Sequence, residues 1–240
     1  MTKNLPLHSG LCNRLFIIAH HYSNAVKDGY KLHIPQEHYQ NSELLKYIIE
    51  NNDVFDKEYN ETYESICTTN QFWQSEFFFD VNLIKDLIKF PQNIIDKITE
   101  KYGDLSDYVA IHVRRGDYLI NGNQYLYYIP DETFYINVYN EFFKDKKIII
   151  VSDDIKWCKN EIQLENAIYA EDNTNVEDLC ILSLCKHHIC SNSTFSWWGC
   201  WLGEREDSIN VYPNKFFQRK CFVEESTLLP SRWVKYEFFK

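Results

Sequence analysis

The chain has 240 residues, of which 45% are hydrophobic and 16% aromatic, so one large domain or two smaller units can bury a sizeable core. Its net charge is −10 and its basic residues form no recognisable stripe, which argues against nucleic acid as a partner. No apolar run is long enough to cross a membrane and no secretory leader opens the chain, so we expect neither a transmembrane segment nor a signal peptide.

The cysteine pattern indicates a reducing compartment. Eight cysteines are present without a Cys-x-x-Cys pair, and the spacing of five between Cys180, Cys185 and Cys190 is not typical of a metal site. Several lie inside apolar stretches, as buried free thiols do. We therefore expect a cytoplasmic location and leave peripheral attachment to a membrane open.

The first part of the chain is predicted to form a small unit over residues 1–105. Apolar residues at helical spacing follow the Gly10 turn and indicate a first helix over 11–25. The segment 71–79 is rich in aromatic residues and fits neither pattern clearly. The other predicted elements are a strand over 31–34 and helices over 44–49, 82–90 and 92–102.

The second part, 106–240, alternates strands with helices. Strands are predicted over 108–113, 147–151, 188–190 and 210–212, and helices over 131–143, 176–186 and 195–202. This alternation predicts an α/β domain with a parallel, doubly wound sheet. Polar clusters follow three of the strands, which predicts one ligand crevice at the carboxyl ends of the strands. These clusters are Arg114 with Arg115, Asp153 with Asp154, and Asn192 with Ser193 and Thr194.

The segment from His112 to Asp117, His-Val-Arg-Arg-Gly-Asp, is the most informative part of the chain. Two arginines stand where a buried strand ends, beside a glycine that permits a sharp turn. Paired guanidinium groups in this place favour an anion such as a phosphate, although a pair of surface salt bridges is the alternative. Alternation along the strand puts His112 on the same face as Arg114, as a ligand contact or as a buried structural histidine.

These motifs resemble the α-1,2-fucosyltransferases, glycosyltransferase family 11. The resemblance runs through most of the chain in order, and the Arg-Arg and Ser-Trp-Trp-Gly blocks are its most specific parts. The matching segments are Gly10 to Phe16, Phe72 to Ser75, His112 to Tyr118, Ser152 to Cys158, Leu182 to His188, Ser191 to Gly199, and Leu229 to Trp233.

The resemblance implies a GT-B-like fold of two Rossmann-like lobes with parallel sheets, the N-terminal lobe being reduced. Residues 1–105 would face the acceptor and residues 106–240 would bind the GDP-sugar. The implied reaction moves L-fucose from GDP-β-L-fucose to the 2-hydroxyl of a terminal galactose in a glycan, with inversion. No metal and no cofactor besides the donor substrate are expected.

The N-terminal motif departs from the family pattern Gly-Gly-Leu-Gly-Asn-Gln. Ser9, Cys12 and Arg14 replace its first glycine, its later glycine and its glutamine, and the segment before Phe72 is short. A transferase for another GDP-sugar, and a catalytically idle protein that binds a nucleotide sugar, therefore remain alternatives.

Catalytic roles are expected of Arg114 and Asp117. Arg114 would stabilise charge on the β-phosphate as it leaves, while Arg115 contacts the donor or organises the loop. Asp117 is either the base that takes the acceptor proton or the group that orients the arginines. Asp153 and Asp154 invite a magnesium site, but the resemblance favours supporting or capping roles.

Further donor contacts are expected in both lobes. Ser193 and Thr194 precede a helix and would cap it or present its free N–H groups to phosphate. Asp178 corresponds to the acid that reads guanine in the wider superfamily, with a simple charge at a helix start as the alternative. The aromatic residues of the Phe195 helix fit the core better than a sugar platform. The complete expected donor set is Asn13, Arg14, His112, Arg114, Arg115, Asp178, Asn192, Ser193, Thr194 and Phe195.

Overall fold

The computed structural model describes residues 1–58, 60, 62–66, 72–120, 122–218 and 225–237. The chain divides into two compact units, Met1–Asn93 and Ile94–Lys240. Within the described residues, no helix is both long and apolar enough to cross a membrane.

Unit 1 contains a three-stranded parallel sheet in the order β2-β1-β3. The predicted first helix is confirmed and continues to Asp28, where Gly29 ends it in the left-handed conformation with φ 71°. Within the aromatic segment 71–79, Gln71 lies outside the described residues and Glu76–Phe78 form a 3₁₀ turn. The elements are β1 (Thr2–Asn4), α1 (Leu11–Asp28), β2 (Lys31–His33), α2 (Glu43–Glu50), β3 (Glu64–Ser65) and α3 (Val81–Leu87).

Helix α4 (Gln92–Tyr102) lies at the division between the units. We predicted the boundary after this helix, at 105/106, whereas the structure groups nearly all of it with unit 2. The reason is its polar face. Lys97 pairs with Glu177, and Lys101 Nζ donates to Asn173 Oδ1 at 2.8 Å. These contacts join the helix to the second unit.

Unit 2 is built on a sheet of described strands in the order β6-β5-β4-β7-β8-β9, and every neighbouring pair is parallel. The predicted α/β class and parallel sheet are therefore confirmed. Its elements are β4 (Val109–Val113), α5 (Glu132–Phe142), β5 (Ile148–Ser152), α6 (Ile155–Glu161), β6 (Ile168–Tyr169), α7 (Asn175–Leu184), β7 (His187–Ile189), α8 (Thr194–Gly203), β8 (Asn210–Pro213), α9 (Glu225–Leu228) and β9 (Val234–Tyr236).

The strand order of unit 2 determines where a ligand can bind. Counted along the chain from β4, the order is 3-2-1-4-5-6, that of the doubly wound nucleotide-binding fold. Strand β4 is buried at all five positions, as expected of a central strand covered on both faces. The order reverses between β4 and β7, so the crevice of the sheet opens beyond the carboxyl ends of these two strands.

Candidate active site

Strand register brings the first two polar clusters together. Val113 at the end of β4 pairs with Ser152 at the end of β5, so Arg114 and Asp153 leave adjacent strands side by side. Strand β7, on the other side of β4, runs into Ser191. The predicted meeting of polar residues at the carboxyl ends of the strands is therefore found in unit 2.

Arg114 is held between two carboxylates. Its Nη2 lies 2.6 Å from Asp117 Oδ1 and its Nη1 lies 2.9 Å from Asp153 Oδ2. Its guanidinium also lies over the Tyr118 ring, 5.5 Å from the centroid. Among the described residues Nε has no partner, so Arg114 is oriented and still has N–H donors for an anion.

Asp153 links the two arginines. While its Oδ2 pairs with Arg114, its Oδ1 accepts a hydrogen bond from the Arg115 backbone N–H at 2.9 Å. A Cβ on Gly116 would lie 2.5 Å from Asp153 Oδ2. The glycine is therefore needed here for close approach to this carboxylate. The sharp turn assumed from the sequence is not what requires it, because its φ is not in the left-handed region.

Arg115 points to a different set of groups. Its guanidinium lies over the Trp157 ring at 3.9 Å, and its Nε donates to Asp154 Oδ2 at 3.2 Å. Asp154 also caps α6 by accepting from the Trp157 N–H. Asp153 and Asp154 thus serve the arginines and a helix start, in agreement with supporting roles. No group of three or more potential ligands for a metal ion occurs among the described residues.

His112 is buried and belongs to a polar network. Its Nδ1 lies 2.6 Å from Ser196 Oγ and 3.1 Å from Ser191 Oγ, and its ring stacks on Phe195 with centroids 5.1 Å apart. Burial, and secondly the charge of Arg114, lowers the pKa of His112 to about 3. The imidazole is therefore neutral near pH 7.

Polar side chains of the loop after β7 hydrogen-bond to the backbone of α8 and of a distant segment. Asn192 is 1% exposed, and its Nδ2 donates to Phe216 O at 2.6 Å. Its Oδ1 is buried without a hydrogen-bond partner among the described residues. Ser193 caps α8 by accepting from the Phe195 N–H, and Thr194 is the first residue of the helix. Capping is therefore confirmed for Ser193 and not for Thr194, and a contact of either residue with phosphate stays a prediction.

Asp178 lies in the first turn of α7, which the Thr174–Glu177 capping box begins. Its Oδ1 accepts from Asn173 Nδ2 at 3.0 Å. Burial raises the pKa of Asp178 to about 6, with Glu177 adding to the rise and Asn173 and Lys101 opposing it. The described contacts do not join Asp178 to the arginines, so its membership of the same site remains a prediction.

Asn13 and Arg14 belong to the start of α1 in unit 1. Arg14 is held by two backbone carbonyls, Ser9 O at 2.8 Å and His38 O at 2.7 Å. Asn13 Nδ2 donates to Ser9 Oγ, and Asn13 Oδ1 accepts from Gln74 Nε2. These bonds join two of the motifs that carry the family resemblance. The expected donor contacts of both residues stay predictions.

Helix α8 carries core residues as well as site residues. Trp198 and Trp201 are both 0% exposed, so the prediction that they belong to the core is confirmed. Sequence reasoning missed Ser191, Ser196, Tyr118 and Trp157 as partners of the site residues. Ser196 stands three residues after the cap Ser193, and such a polar position in a first turn facing two strand ends was the available signal.

Comparison with known proteins identifies the family of this chain. The family model described as glycosyl transferase family 11 matches residues 20–237. An alpha-1,2-colitosyltransferase of Escherichia coli is 32% identical over 178 residues, which cover 69% of this chain and 61% of that protein. Galactoside alpha-(1,2)-fucosyltransferase 1 of Mus musculus is 30% identical over 139 residues, covering 53% of this chain and 36% of that protein. The matched part is thus less than two thirds of either relative.

One solved structure supports the fold. NodZ alpha-1,6-fucosyltransferase soaked with GDP-fucose aligns with a TM-score of 0.54 at 13% identity, covering 84% of this chain and 93% of that one. The two-unit α/β architecture is of the GT-B class, as the sequence predicted.

Proposed function

Because this chain belongs to glycosyl transferase family 11, we propose that it transfers L-fucose from GDP-β-L-fucose to the 2-hydroxyl of a terminal galactose in a glycan. The observation that carries the proposal is Arg114, held by two carboxylates at the point where the strand order of unit 2 reverses. The names of two relatives, an alpha-1,2-colitosyltransferase and a galactoside alpha-(1,2)-fucosyltransferase, support the linkage.

The donor diphosphate would lie between Arg114 and the N-terminus of α8. Nε of Arg114 has no partner among the described residues and so remains a donor for an anion, and the first N–H groups of a helix favour an anion. Trp157 and Asp154 hold the side chain of Arg115. Its backbone N–H orients Asp153, the partner of Arg114.

In the proposed step the acceptor oxygen forms a bond to the sugar carbon while the bond from that carbon to the β-phosphate oxygen breaks. GDP leaves with the electron pair, and Arg114 stabilises the charge that grows on it. Inversion follows because the acceptor attacks from the face opposite the leaving group. A loose, oxocarbenium-like transition state needs proton removal from the acceptor only late, and the proton of the attacking hydroxyl then passes to water. We assign Asp117 to the orientation of Arg114, because the two side chains form a direct ion pair.

A different GDP-sugar is the second candidate. The colitosyltransferase matches a larger share of this chain than the fucosyltransferase does, 69% against 53%. Colitose is fucose without its 3-hydroxyl group, so one contact to that hydroxyl would distinguish the two donors. A site built to hydrogen-bond a hydroxyl discriminates strongly against the sugar that lacks it.

We propose that the reaction occurs in the cytoplasm. The described cysteines are all buried free thiols, which is typical of a reducing compartment. They are Cys12, Cys158, Cys180, Cys185, Cys190 and Cys200. Cys67 and Cys221 lie outside the described residues.

The test uses the purified chain with GDP-fucose, GDP-colitose and GDP-mannose as donors and lactose as acceptor. We expect GDP release and a fucosylated trisaccharide product with GDP-fucose, both in EDTA and in excess Mg²⁺. A lactose analogue with 2-deoxygalactose should give no product, because it lacks the accepting hydroxyl. Preference for GDP-colitose would establish the second candidate. Saturable GDP binding without transfer from any donor would instead identify a binding protein.

A further inference from the structure

The hydroxyl of Ser196 joins three elements of unit 2. It accepts a hydrogen bond from the Ser191 backbone N–H at 3.1 Å, just after β7, and lies 2.9 Å from Ser191 Oγ. It also lies 2.6 Å from Nδ1 of His112 on β4, the shortest contact of the three. Ser196 itself stands in the first turn of α8 and is 1% exposed. A single buried hydroxyl thus connects β4, the loop after β7 and helix α8.

The geometry of this hydroxyl favours one tautomer of His112. The backbone N–H of Ser191 can only donate, so Ser196 Oγ is already an acceptor and still has one proton to donate. Nδ1 of His112 is its nearest acceptor, and the Ser191 hydroxyl converges on the same nitrogen at 3.1 Å. An imidazole that accepts at Nδ1 and is neutral must carry its proton on Nε2. Burial, which lowers the pKa of His112 to about 3, keeps the ring neutral.

The other ring nitrogen remains available. His112 Nε2 has no hydrogen-bond partner among the described residues, and it is not one of the buried polar atoms that lack one. It therefore keeps contact with solvent, which agrees with the 6% exposure of the residue. Two residues further along the chain, just past the end of β4, stands Arg114, whose charge acts on the His112 ring.

We propose that Ser196 is a positioning residue, which holds His112 with its proton on Nε2 and so makes the ring a neutral hydrogen-bond donor toward the diphosphate of the donor. This inference rests on the function proposed above. A fixed neutral donor beside a guanidinium adds a directed hydrogen bond to the leaving phosphate without adding charge to a buried site. A histidine free to exchange tautomers would present an acceptor part of the time and would repel the phosphate oxygen.

The tautomer can be read in the wild-type protein. Long-range ¹H–¹⁵N spectra of the histidine-labelled protein distinguish a protonated from an unprotonated ring nitrogen, and a His112→Gln spectrum identifies the signals of His112. We expect Nδ1 unprotonated and Nε2 protonated at pH 7, and we expect the Nε2 signal to shift when GDP is added. A wild-type spectrum with the proton on Nδ1 overturns the proposal.

Ser196→Ala tests the role of the hydroxyl. We expect mixed tautomers of His112 and an affinity for GDP that is about tenfold lower, equivalent to about 1.4 kcal/mol. Ser196→Thr keeps the hydroxyl and should restore the Nε2 tautomer and most of the affinity. Ser183→Ala is the matched control, because Ser183 also donates from a helix, to Cys180 O at 2.8 Å, without contacting His112.

The outcomes separate this inference from the proposed function. A folded Ser196→Ala protein with wild-type GDP affinity and an unchanged tautomer overturns the positioning role. An equal loss in Ser183→Ala also overturns it, since that result indicates a general loss of stability. Failure of the wild-type chain to bind GDP overturns the proposed function in the first titration, before any variant is compared.

Discussion

The guanidinium of Arg114 forms ion pairs with two carboxylates of the protein itself. Asp117 pairs with Nη2 and Asp153 pairs with Nη1. Asp153 is itself fixed by the Arg115 backbone N–H. These contacts remove much of the freedom of a long side chain, so less ordering entropy is lost when a phosphate binds. Two arginines face three carboxylates in this cluster, so an anion must be bound by directed N–H donors and not by an excess of positive charge.

Arg114→Lys keeps the charge but should abolish most of the activity. A lysine ammonium cannot span Asp117 and Asp153 and still direct a planar pair of donors at a phosphate. We expect transfer to fall about 10²-fold or more, measured as product formed under saturating donor. Arg205→Lys, on a guanidinium that bonds Ser106 O and Leu184 O at the opposite edge of the sheet, is the control. Near-normal transfer by folded Arg114→Lys protein would remove Arg114 from the chemistry.

Asp117→Asn distinguishes orientation from base catalysis. The amide removes the negative charge that holds Arg114 Nη2, so we expect GDP affinity and turnover to fall together. Isothermal titration with GDP and an initial-rate assay on the same preparation measure both. Turnover that falls by about 10²–10⁴ with unchanged affinity would assign Asp117 as the base instead.

Asp178→Asn should change which nucleotide the chain prefers. A carboxylate can accept two hydrogen bonds from guanine, whereas an amide presents an N–H₂ group to one of those donors. We expect the affinity for GDP to fall by about tenfold or more while that for UDP stays constant. Because burial raises the pKa of Asp178 to about 6, wild-type affinity for GDP should also rise as the pH increases through 6. Equal losses of affinity for GDP and UDP would mean that Asp178 acts only as a charge at the start of α7.

At the scale of elements, two glycines each allow neighbouring parts of unit 2 to approach closely. Gly116 lets the loop after β4 reach Asp153, and Gly199 lets α8 lie against α7. A Cβ on Gly199 would stand 2.5 Å from Cβ and from Cδ1 of Leu182. Both helices begin at the carboxyl edge of the sheet, so their separation determines where their N-termini stand relative to β4 and β7.

Gly199→Ala should separate α7 from α8. The added methyl group meets a buried leucine on a neighbouring helix, and overpacking of this kind costs about 1–3 kcal/mol of unfolding free energy. Urea unfolding measures the loss. Gly10→Ala, where a Cβ meets nothing within 4 Å, is the steric control and should lose only the preference for glycine over alanine at the N-cap of α1. Unaltered stability of Gly199→Ala would mean that the helices can shift without cost.

At the scale of the whole molecule, buried histidines predict sensitivity to acid. Burial is the main cause that lowers the pKa of His21 to about 4 and that of His112 to about 3, against 6.5 in an unfolded chain. The unfolded chain therefore binds more protons below pH 6.5, and stability should fall as the pH decreases from 6.5 toward 4. Asp178, with its raised pKa, works in the opposite direction over part of this range.

His21→Phe tests this linkage. The variant keeps a ring against Trp73 and removes one titrating group, so its unfolding free energy should decline less steeply below pH 6.5. The slope should differ from that of the wild-type protein by at most about 1.4 kcal/mol per pH unit. Urea unfolding at pH 7.5, 6 and 5 measures it, and parallel declines would contradict the assignment to His21.

Local pattern was sufficient for most elements. Helix α1, helix α4 and strand β4 follow apolar spacing or continuous β-branched runs, and each was predicted within a few residues. The elements that were missed are short or weakly patterned. Strand β1 has three residues, strand β6 has two, and α6 is a seven-residue helix that an aspartate caps. Such elements depend on pairing partners distant in sequence, which periodicity does not report.

The sequence by itself determined the α/β class, the parallel sheet and the family, because these depend on local periodicity and on motifs that stay contiguous along the chain. The tertiary structure decided what the motif residues do to one another. Strand register placed Asp153 between the two arginines, and the helix after β7 brought Ser196 to His112, 84 positions away in sequence. Contacts across such separations arise from the pairing of strands, which residue spacing within one segment cannot specify.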